Sequence, residues 1–221
     1  MITIAIPTGL LSEGSLELFS RAGVVQISRE ELGRRLLLER DGVRLVLVRP
    51  GDVAAYVDHG AADLGVVGKD SLWESAGQHY ELLDLGFGGC SLVLAAPEAA
   101  PLDGPDTWPA SMRVATKYPM ATAAYMSRVG QTVEIVRLQG SVELAPLVGL
   151  TDAIADLTAT GRTLRENHLR ILTEMGYSTA RLVANQASLK TRTAQIQDLV
   201  LRLRDAVAPS APIAGRTADG A

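Results

Sequence analysis

Residues 152–164, DAIADLTATGRTL, gather acids, hydroxyls, a glycine and an arginine, with no large apolar side chain between Leu157 and Leu164. A strand over AIADL puts Asp156 near its carboxyl end, where ligands sit in open α/β sheets. A helix starting around Thr163 leaves the amides of 158–162 as free donors. Together with threonine hydroxyls and the positive end of a helix dipole, such amides suit a phosphate. Gly161 permits close approach or a positive φ. Arg162 in the first turn opposes the dipole at about 0.3–1 kcal/mol, a sign that a bound anion reverses. Spacing alone leaves a second reading level with the first, in which Thr158 or Thr160 caps the helix and Arg162 is solvated. Upstream stands Glu143. Two carboxylates beside a phosphate loop can hold ribose hydroxyls, which donate hydrogen bonds to them. Taken singly, Glu143 reads rather as a helix N-terminal acid favoured by the dipole.

The elements that must position these groups alternate. Strand-like runs fall at 2–6, 43–48, 63–67, 91–96, 112–115, 132–136 and 153–157, with helical patterns near 14–22, 50–59, 69–76, 119–129 and 142–148. Such alternation predicts crossover connections and mostly parallel sheets. The proline-rich segment 97–111 reads as the border or rim of a second lobe. Two more strand-like runs, 170–175 and 180–184, precede a helix over about 188–206, with Leu189, Ile196, Leu199, Val200 and Leu203 at helical spacing. The simplest layout is α/β, with two lobes and a ligand cleft between them. Residues 1–90 plus about 180–207 form lobe I. Residues of about 91–179 form lobe II, with the phosphate loop, and 208–221 read as a frayed tail.

Of the 221 residues 47% are hydrophobic but only 4% aromatic, so the core must be built from Leu, Val, Ala and Ile. A net charge of −4 argues against general binding to nucleic acid or anionic membranes. The single cysteine, Cys90, excludes an internal disulfide, and it reads as a buried thiol rather than a nucleophile. The N-terminal stretch lacks a charged signal-peptide region, and no apolar run reaches membrane-spanning length. The expectation is a soluble intracellular protein. GVVGKDSL at 65–72 fails the P-loop pattern, because Asp63 stands where its first glycine belongs and Asp70 follows the lysine. GFGG at 86–89 fails the dinucleotide spacing, and no serine-hydrolase elbow is present. His59, His79 and His168 lack metal-ligand spacing.

Taken together, the segments resemble ATP phosphoribosyltransferase, the first enzyme of histidine biosynthesis. Glu143, Gly149 and DAIADLTATGRTL resemble its signature. VRPGDVAAYVDHGAADLGVVGKD (48–70), LGFGGC (85–90), ATKYP (115–119) and STARLVAN (178–185) resemble further family segments in the family's order. The likeness runs from about residue 2 to 205. It implies a two-lobed fold of the periplasmic-binding-protein type II kind. The length resembles the short form, a catalytic subunit without the C-terminal regulatory domain. That form implies a histidyl-tRNA-synthetase-like regulatory partner and a homodimer within a hetero-oligomer, in the cytoplasm, with no role for nucleic acid or membrane.

The implied reaction joins N1 of ATP to C1 of 5-phosphoribosyl 1-pyrophosphate, giving phosphoribosyl-ATP and pyrophosphate. It needs no protein nucleophile and no protein metal site, with Mg²⁺ carried mainly by the pyrophosphate. The resemblance assigns Glu143 and Asp156 to the ribose hydroxyls, and Thr158, Ala159, Thr160, Gly161, Arg162 and Thr163 to the 5-phosphate. It assigns Arg49 and Arg35 to pyrophosphate charge, with Arg34 an equal match for Arg35. Gly9, Asp70, Lys117 and Tyr118 fall to ATP. Two departures stand out. Ala54 replaces a proline after Asp52-Val53, and Thr8-Gly9-Leu10-Leu11 replaces the family's Lys-Gly-Arg-Leu. A non-catalytic solute-binding module of the same fold is the alternative, and the lost cations at Thr8 and Leu10 motivate a third reading, a weakened paralogue.

Overall fold

A computed structural model describes residues 1–207, apart from the side chain of Arg29; the expected frayed tail, 208–221, lies outside them. The first half runs β1 (Ile2–Pro7), α1 (Leu10–Arg21), α2 (Arg29–Leu32), β2 (Leu37–Arg40), β3 (Val43–Val48), α3 (Val53–Asp58), β4 (Leu64–Gly68), α4 (Lys69–Trp73) and β5 (Tyr80–Asp84). It continues with β6 (Cys90–Pro97), β7 (Arg113–Thr116), α5 (Pro119–Arg128), β8 (Glu134–Arg137), α6 (Leu144–Leu147) and β9 (Ala153–Thr158). Last come α7 (Arg162–Glu166), β10 (Leu169–Ser178), β11 (Ala180–Ala184), α8 (Gln186–Thr191) and α9 (Thr193–Ala206).

Among the described residues eleven strands build two sheets, ordered β2-β3-β1-β4-β11-β5 and β10-β6-β9-β7-β8. The expected parallel pairing holds at the centre of the first sheet, where β1 lies between β3 and β4, and in the second, where β7 lies between β8 and β9. Elsewhere both sheets are mixed. β2, β11 and β5 pair antiparallel in the first, and β6 runs antiparallel to β9 and β10 in the second. The cause is the route of the chain. It leaves the first sheet after β5, builds the second, and returns at Thr179 so that β11 enters beside β4 from the opposite direction.

Helices cover both faces of each sheet, which is why central strands read as nearly unbroken apolar runs. In the first sheet, Ile4, Ile6, Leu45 and Leu64 meet the α1 and α9 side with Phe19, Leu199 and Leu203. Ala5, Val67 and Val183 face Val53 and Val57 of α3. Gly65 makes that second contact possible, since a Cβ there would come within 2.7 Å of Val57 Cγ2 and 2.8 Å of Val53 Cγ1. In the second sheet, Leu92, Val114 and Ala155 pack with Met126 of α5, while Val93, Ala115 and Ile154 pack with Val142, Ala145 and Leu164.

The structure adds to the sequence reading in three places. The segment 97–111, expected at the border or rim of the second lobe, is mostly exposed but drives Leu102 and Trp108 into the core of the second sheet. The helix expected over 188–206 is two, broken at Arg192, whose φ of −128° leaves the helical region. The edge strands β2 and β5 and the short α2 were not foreseen.

Candidate active site

Tyr118 of the second sheet feels the carboxylates of both Asp70 and Asp156, and the sequence-assigned residues lie at the ends of strands from the two sheets. Gly9 follows β1, Arg49 follows β3, and Asp70 lies just past β4. Arg35 precedes β2, which pairs antiparallel with β3, so it stands at the same end as Arg49. On the second sheet Lys117 and Tyr118 follow β7, Glu143 follows β8, and Asp156 to Thr163 span the end of β9 and the start of α7.

The turn from β9 to α7 is built by its own hydroxyls. Thr158 Oγ1 accepts a 2.8 Å hydrogen bond from the Gly161 amide, and Thr160 Oγ1 accepts a longer one, 3.4 Å, from the Arg162 amide. The amides of Gly161 and Arg162 are therefore not free donors, contrary to the sequence reading. Gly161 has φ +69°, and a Cβ there would lie 2.9 Å from Arg165 Nη1. This is the left-handed region that favours glycine. Helix α7 begins at Arg162, one residue early, and has only five residues, so its dipole is slight. Arg162 is not an unopposed cation either, because its Nε lies 2.7 Å from Glu166 Oε1. That pair is well exposed and costs little to exchange for another anion.

Glu143, Asp156, Thr158, Ala159, Thr160, Arg162 and Thr163 line one pocket of about 240 Å³. Asp156 is its electrostatic centre. Burial pushes the Asp156 carboxyl pKa up and the neighbouring Glu143 adds to the rise, while the Leu157 amide, 2.9 Å away, and Lys117 oppose it. A partly desolvated carboxylate with a second acid beside it is well placed to accept from hydroxyl donors.

Tyr118 joins this pocket to the first sheet. Burial, then the carboxylates of Asp70 and Asp156, the Cys90 thiol and Glu74, push its hydroxyl pKa far up, so it stays a neutral donor. Asp70 is held by Ser178 of β10, whose Oγ donates to Asp70 Oδ1 at 2.7 Å and accepts from the Asp70 amide at 3.0 Å. Cys90 is half-buried, with its thiol pKa raised first by burial and then by Asp70. It is protonated at neutral pH and no nucleophile. Lys69 does not act as a P-loop lysine, since it pairs with Glu81 of β5.

Gly9, Arg35 and Arg49 give no wall to the pocket of Glu143 and Asp156. Arg35 and Arg49 are exposed and make no ion pair among the described residues, which leaves both guanidiniums available to an anion. Leu10, beside Gly9, is 99% exposed. Two residues near the site were missed from sequence. Thr116 Oγ1 donates to the Ala155 carbonyl at 2.7 Å and accepts from the Tyr118 amide at 2.8 Å, fixing the Lys117–Tyr118 turn to β9. Glu74 reaches the start of α5. The sequence signal for Glu74 was its spacing of four from Asp70, which places both acids on one helical face.

The family described as HisG: ATP phosphoribosyltransferase matches residues 49–205. The chain is 44% identical over 209 residues to ATP phosphoribosyltransferase of Caldanaerobacter subterraneus subsp. tengcongensis, covering 94% of this chain and 98% of that protein. The chain belongs to the ATP phosphoribosyltransferase family. It is therefore a phosphoribosyl-transferring enzyme of histidine biosynthesis, and the solute-binding alternative is not favoured. The Rubrobacter xylanophilus ATP phosphoribosyltransferase is 46% identical over 201 residues, covering 90% of this chain and 93% of that one. Among solved structures, the ATP phosphoribosyl transferase (HisG:HisZ) complex from Thermotoga maritima matches with TM-score 0.76 and 34% identity, covering 94% of this chain and 98% of that one. The periplasmic aliphatic sulphonate binding protein SsuA of Escherichia coli matches with TM-score 0.61 at 14% identity, over 93% of this chain and 72% of that one. That likeness shows the fold alone, a two-lobed periplasmic-binding-protein type II architecture.

Proposed function

We propose that the pocket at the end of β9 binds the phosphoribosyl part of 5-phosphoribosyl 1-pyrophosphate, and that Asp70, Lys117, Tyr118 and Gly9 border the ATP. The observation that carries this reading is Asp156, a partly buried carboxylate coupled to Glu143 at the root of a threonine-rich turn. Glu143 and Asp156 accept from the ribose hydroxyls. Thr158, Ala159, Thr160, Gly161, Arg162 and Thr163 surround the 5-phosphate. The two sheets serve as the cores of two lobes, 1–90 plus about 180–207 and about 91–179, with the substrates between them.

In the reaction a bond forms between adenine N1 and the ribose C1, and the bond from C1 to the pyrophosphate oxygen breaks. Positive charge develops on the ribose as negative charge grows on the departing pyrophosphate. This chain's task is to align the reacting atoms and stabilise that separation. Arg49 and Arg35, both without an ion-pair partner among the described residues, meet the pyrophosphate. Mg²⁺ would neutralise part of the same charge. It favours phosphate oxygens and water with one or two carboxylates, and the acids lining the pocket, Glu143 and Asp156, fit an ion brought in by the substrate.

The partner is a synthetase-like regulatory subunit, with this chain as a homodimer inside the hetero-oligomer; the likeness to the HisG:HisZ complex from Thermotoga maritima supports the hetero-oligomer. No described helix is long and apolar enough to cross a membrane. We place the chain in the cytoplasm with its pathway.

Pyrophosphate release, measured with each substrate and Mg²⁺ omitted in turn, tests the reading. Release should require all three, and Glu143→Ala should raise the KM for 5-phosphoribosyl 1-pyrophosphate more than that for ATP. Release without ATP, or equal shifts in both constants, would refute it.

A further inference from the structure

Helix α5 starts with an unfilled cap. Its N-cap residue, Tyr118, makes no side-chain capping bond, and Pro119 at the first position has no N–H to offer. The amides of Met120 and Ala121 are therefore orphan donors by the geometry of any helix start. Both are taken by one carboxylate from far along the chain: Glu74 Oε2 accepts from Met120 N at 3.1 Å, and Glu74 Oε1 from Ala121 N at 2.8 Å. A carboxylate also complements the positive end of this ten-residue helix.

Glu74 closes α4, the helix that follows β4 of the first sheet. The same end of α4 is seated on the second sheet by Trp73, whose ring lies over Gly176 of β10. A Cβ at Gly176 would come within 2.9 Å of Trp73 Cη2, so the glycine admits the ring. The start of α4 carries Asp70, tied to Ser178. From the other side the Lys117–Tyr118 turn is fixed to β9 through Thr116, and the Tyr118 carbonyl accepts from Thr122 Oγ1 at 2.6 Å. One short helix thus sets the distance between Asp70 on one sheet and Lys117 and Tyr118 on the other.

We propose that Glu74 is a positioning residue for nucleotide binding: by capping α5 from α4, it holds the two walls of the ATP site in register. This rests on the reading that Asp70, Lys117 and Tyr118 border ATP. Glu74 acts through those residues and is not assigned contact with substrate.

Steady-state kinetics on full-length Glu74→Ala, Glu74→Gln and Lys117→Ala test it. Glu74→Ala should raise the KM for ATP by about tenfold, while the KM for 5-phosphoribosyl 1-pyrophosphate stays within about twofold. Glu74→Gln keeps one acceptor oxygen and should show the same selective rise, smaller. A cap that only stabilised the fold would lower Tm and the active fraction without splitting the two constants. An unchanged KM for ATP, or equal rises in both, overturns the inference. Should Glu74→Ala fail to fold, absence of any selective rise in Glu74→Gln overturns it as well. If Lys117→Ala raises the KM for ATP and neither Glu74 variant does, the inference alone fails. If Lys117→Ala leaves that constant unchanged, the reading of the turn fails and the inference falls with it.

Discussion

The turn from β1 to α1 and the turn from β9 to α7 share a backbone device. Each follows a strand at the carboxyl end of its sheet, and each enters its helix through a glycine N-cap with positive φ, +88° at Gly9 and +69° at Gly161. Their side chains differ sharply. The second turn has threonine hydroxyls wired into its own amides, an arginine on each side of Leu164 and two carboxylates behind it. The first presents Leu10, 99% exposed, where the family resemblance leads one to expect a cation. The backbone at such a turn supplies only geometry. The ligand preference comes from what surrounds the glycine, and here only one of the two turns carries the chemistry for an anionic sugar.

The largest effect that would break this contrast lies at Asp156. Replacing a charged hydrogen-bond acceptor forfeits about 1.5–3 kcal/mol, so Asp156→Asn should cut kcat/KM for 5-phosphoribosyl 1-pyrophosphate by roughly 10- to 150-fold. The pH dependence follows from the direction of its pKa. Burial raises the folded-state value above the unfolded one. The associated stability is thus complete below the unfolded carboxylate pKa of about 3.9 and is lost as pH rises through the folded value. Asp156→Asn escapes that loss, so its Tm should exceed that of the parent at neutral pH, and the gap should close in acid. The parent's kcat/KM should also fall in acid at a higher pH than an ordinary carboxylate would dictate. A variant that is neither more stable nor impaired would remove Asp156 from the site.

The two glycines give the next test. At Gly9 the combination of φ +88° and ψ −141° is closed to L-residues, though nothing lies within 4 Å of a Cβ there. Gly9→Ala should cost about 1–3 kcal/mol of stability, read as a lowered Tm, with the KM for 5-phosphoribosyl 1-pyrophosphate unchanged. Gly161→Ala meets both a left-handed φ and Arg165. Its penalty of about 1–2 kcal/mol falls on the loop itself, and the KM for the sugar substrate should rise. The same pattern from both variants would erase the distinction between the turns.

The smallest effect sharpens the comparison from the poorer side. Leu10→Arg replaces an exposed leucine and disturbs no packing. An exposed cation near a phosphate contributes about 0.2–1 kcal/mol, so the KM for ATP should drop by a few-fold at low ionic strength and recover in high salt. A salt-independent result would mean that this turn does not face the nucleotide.

These turns were unequally legible in the sequence. The second keeps most of its chemistry in one contiguous stretch, so its acids, hydroxyls and glycine could be read together, and Asp156, Thr158, Thr160 and Thr163 line one pocket. What failed there were short-range competitions. Thr158 and Thr160 claim amides that the reading left free, and Glu166 claims Arg162 across one helical turn. The strand centres were legible because burial on both faces leaves long apolar runs. Edge strands were not, since β2 (LLER) and β5 (YELLD) are short, charged and mostly exposed. The mixed pairing was hidden for another reason: whether β11 runs with or against β4 depends on where the chain re-enters, which no local pattern encodes. Glu74 was missed because its partners lie 46 and 47 residues away.

That re-entry has a consequence for synthesis. Residues of the second sheet are contiguous, from Cys90 to Ser178, whereas the first sheet places β11 between β4 and β5. As the chain emerges from the ribosome, β5 has no strand to pair with until residues 180–184 have followed the whole second sheet out of the tunnel. The two halves of the molecule therefore finish in the reverse of the order in which they begin. The cleft, which needs both, is the last thing made.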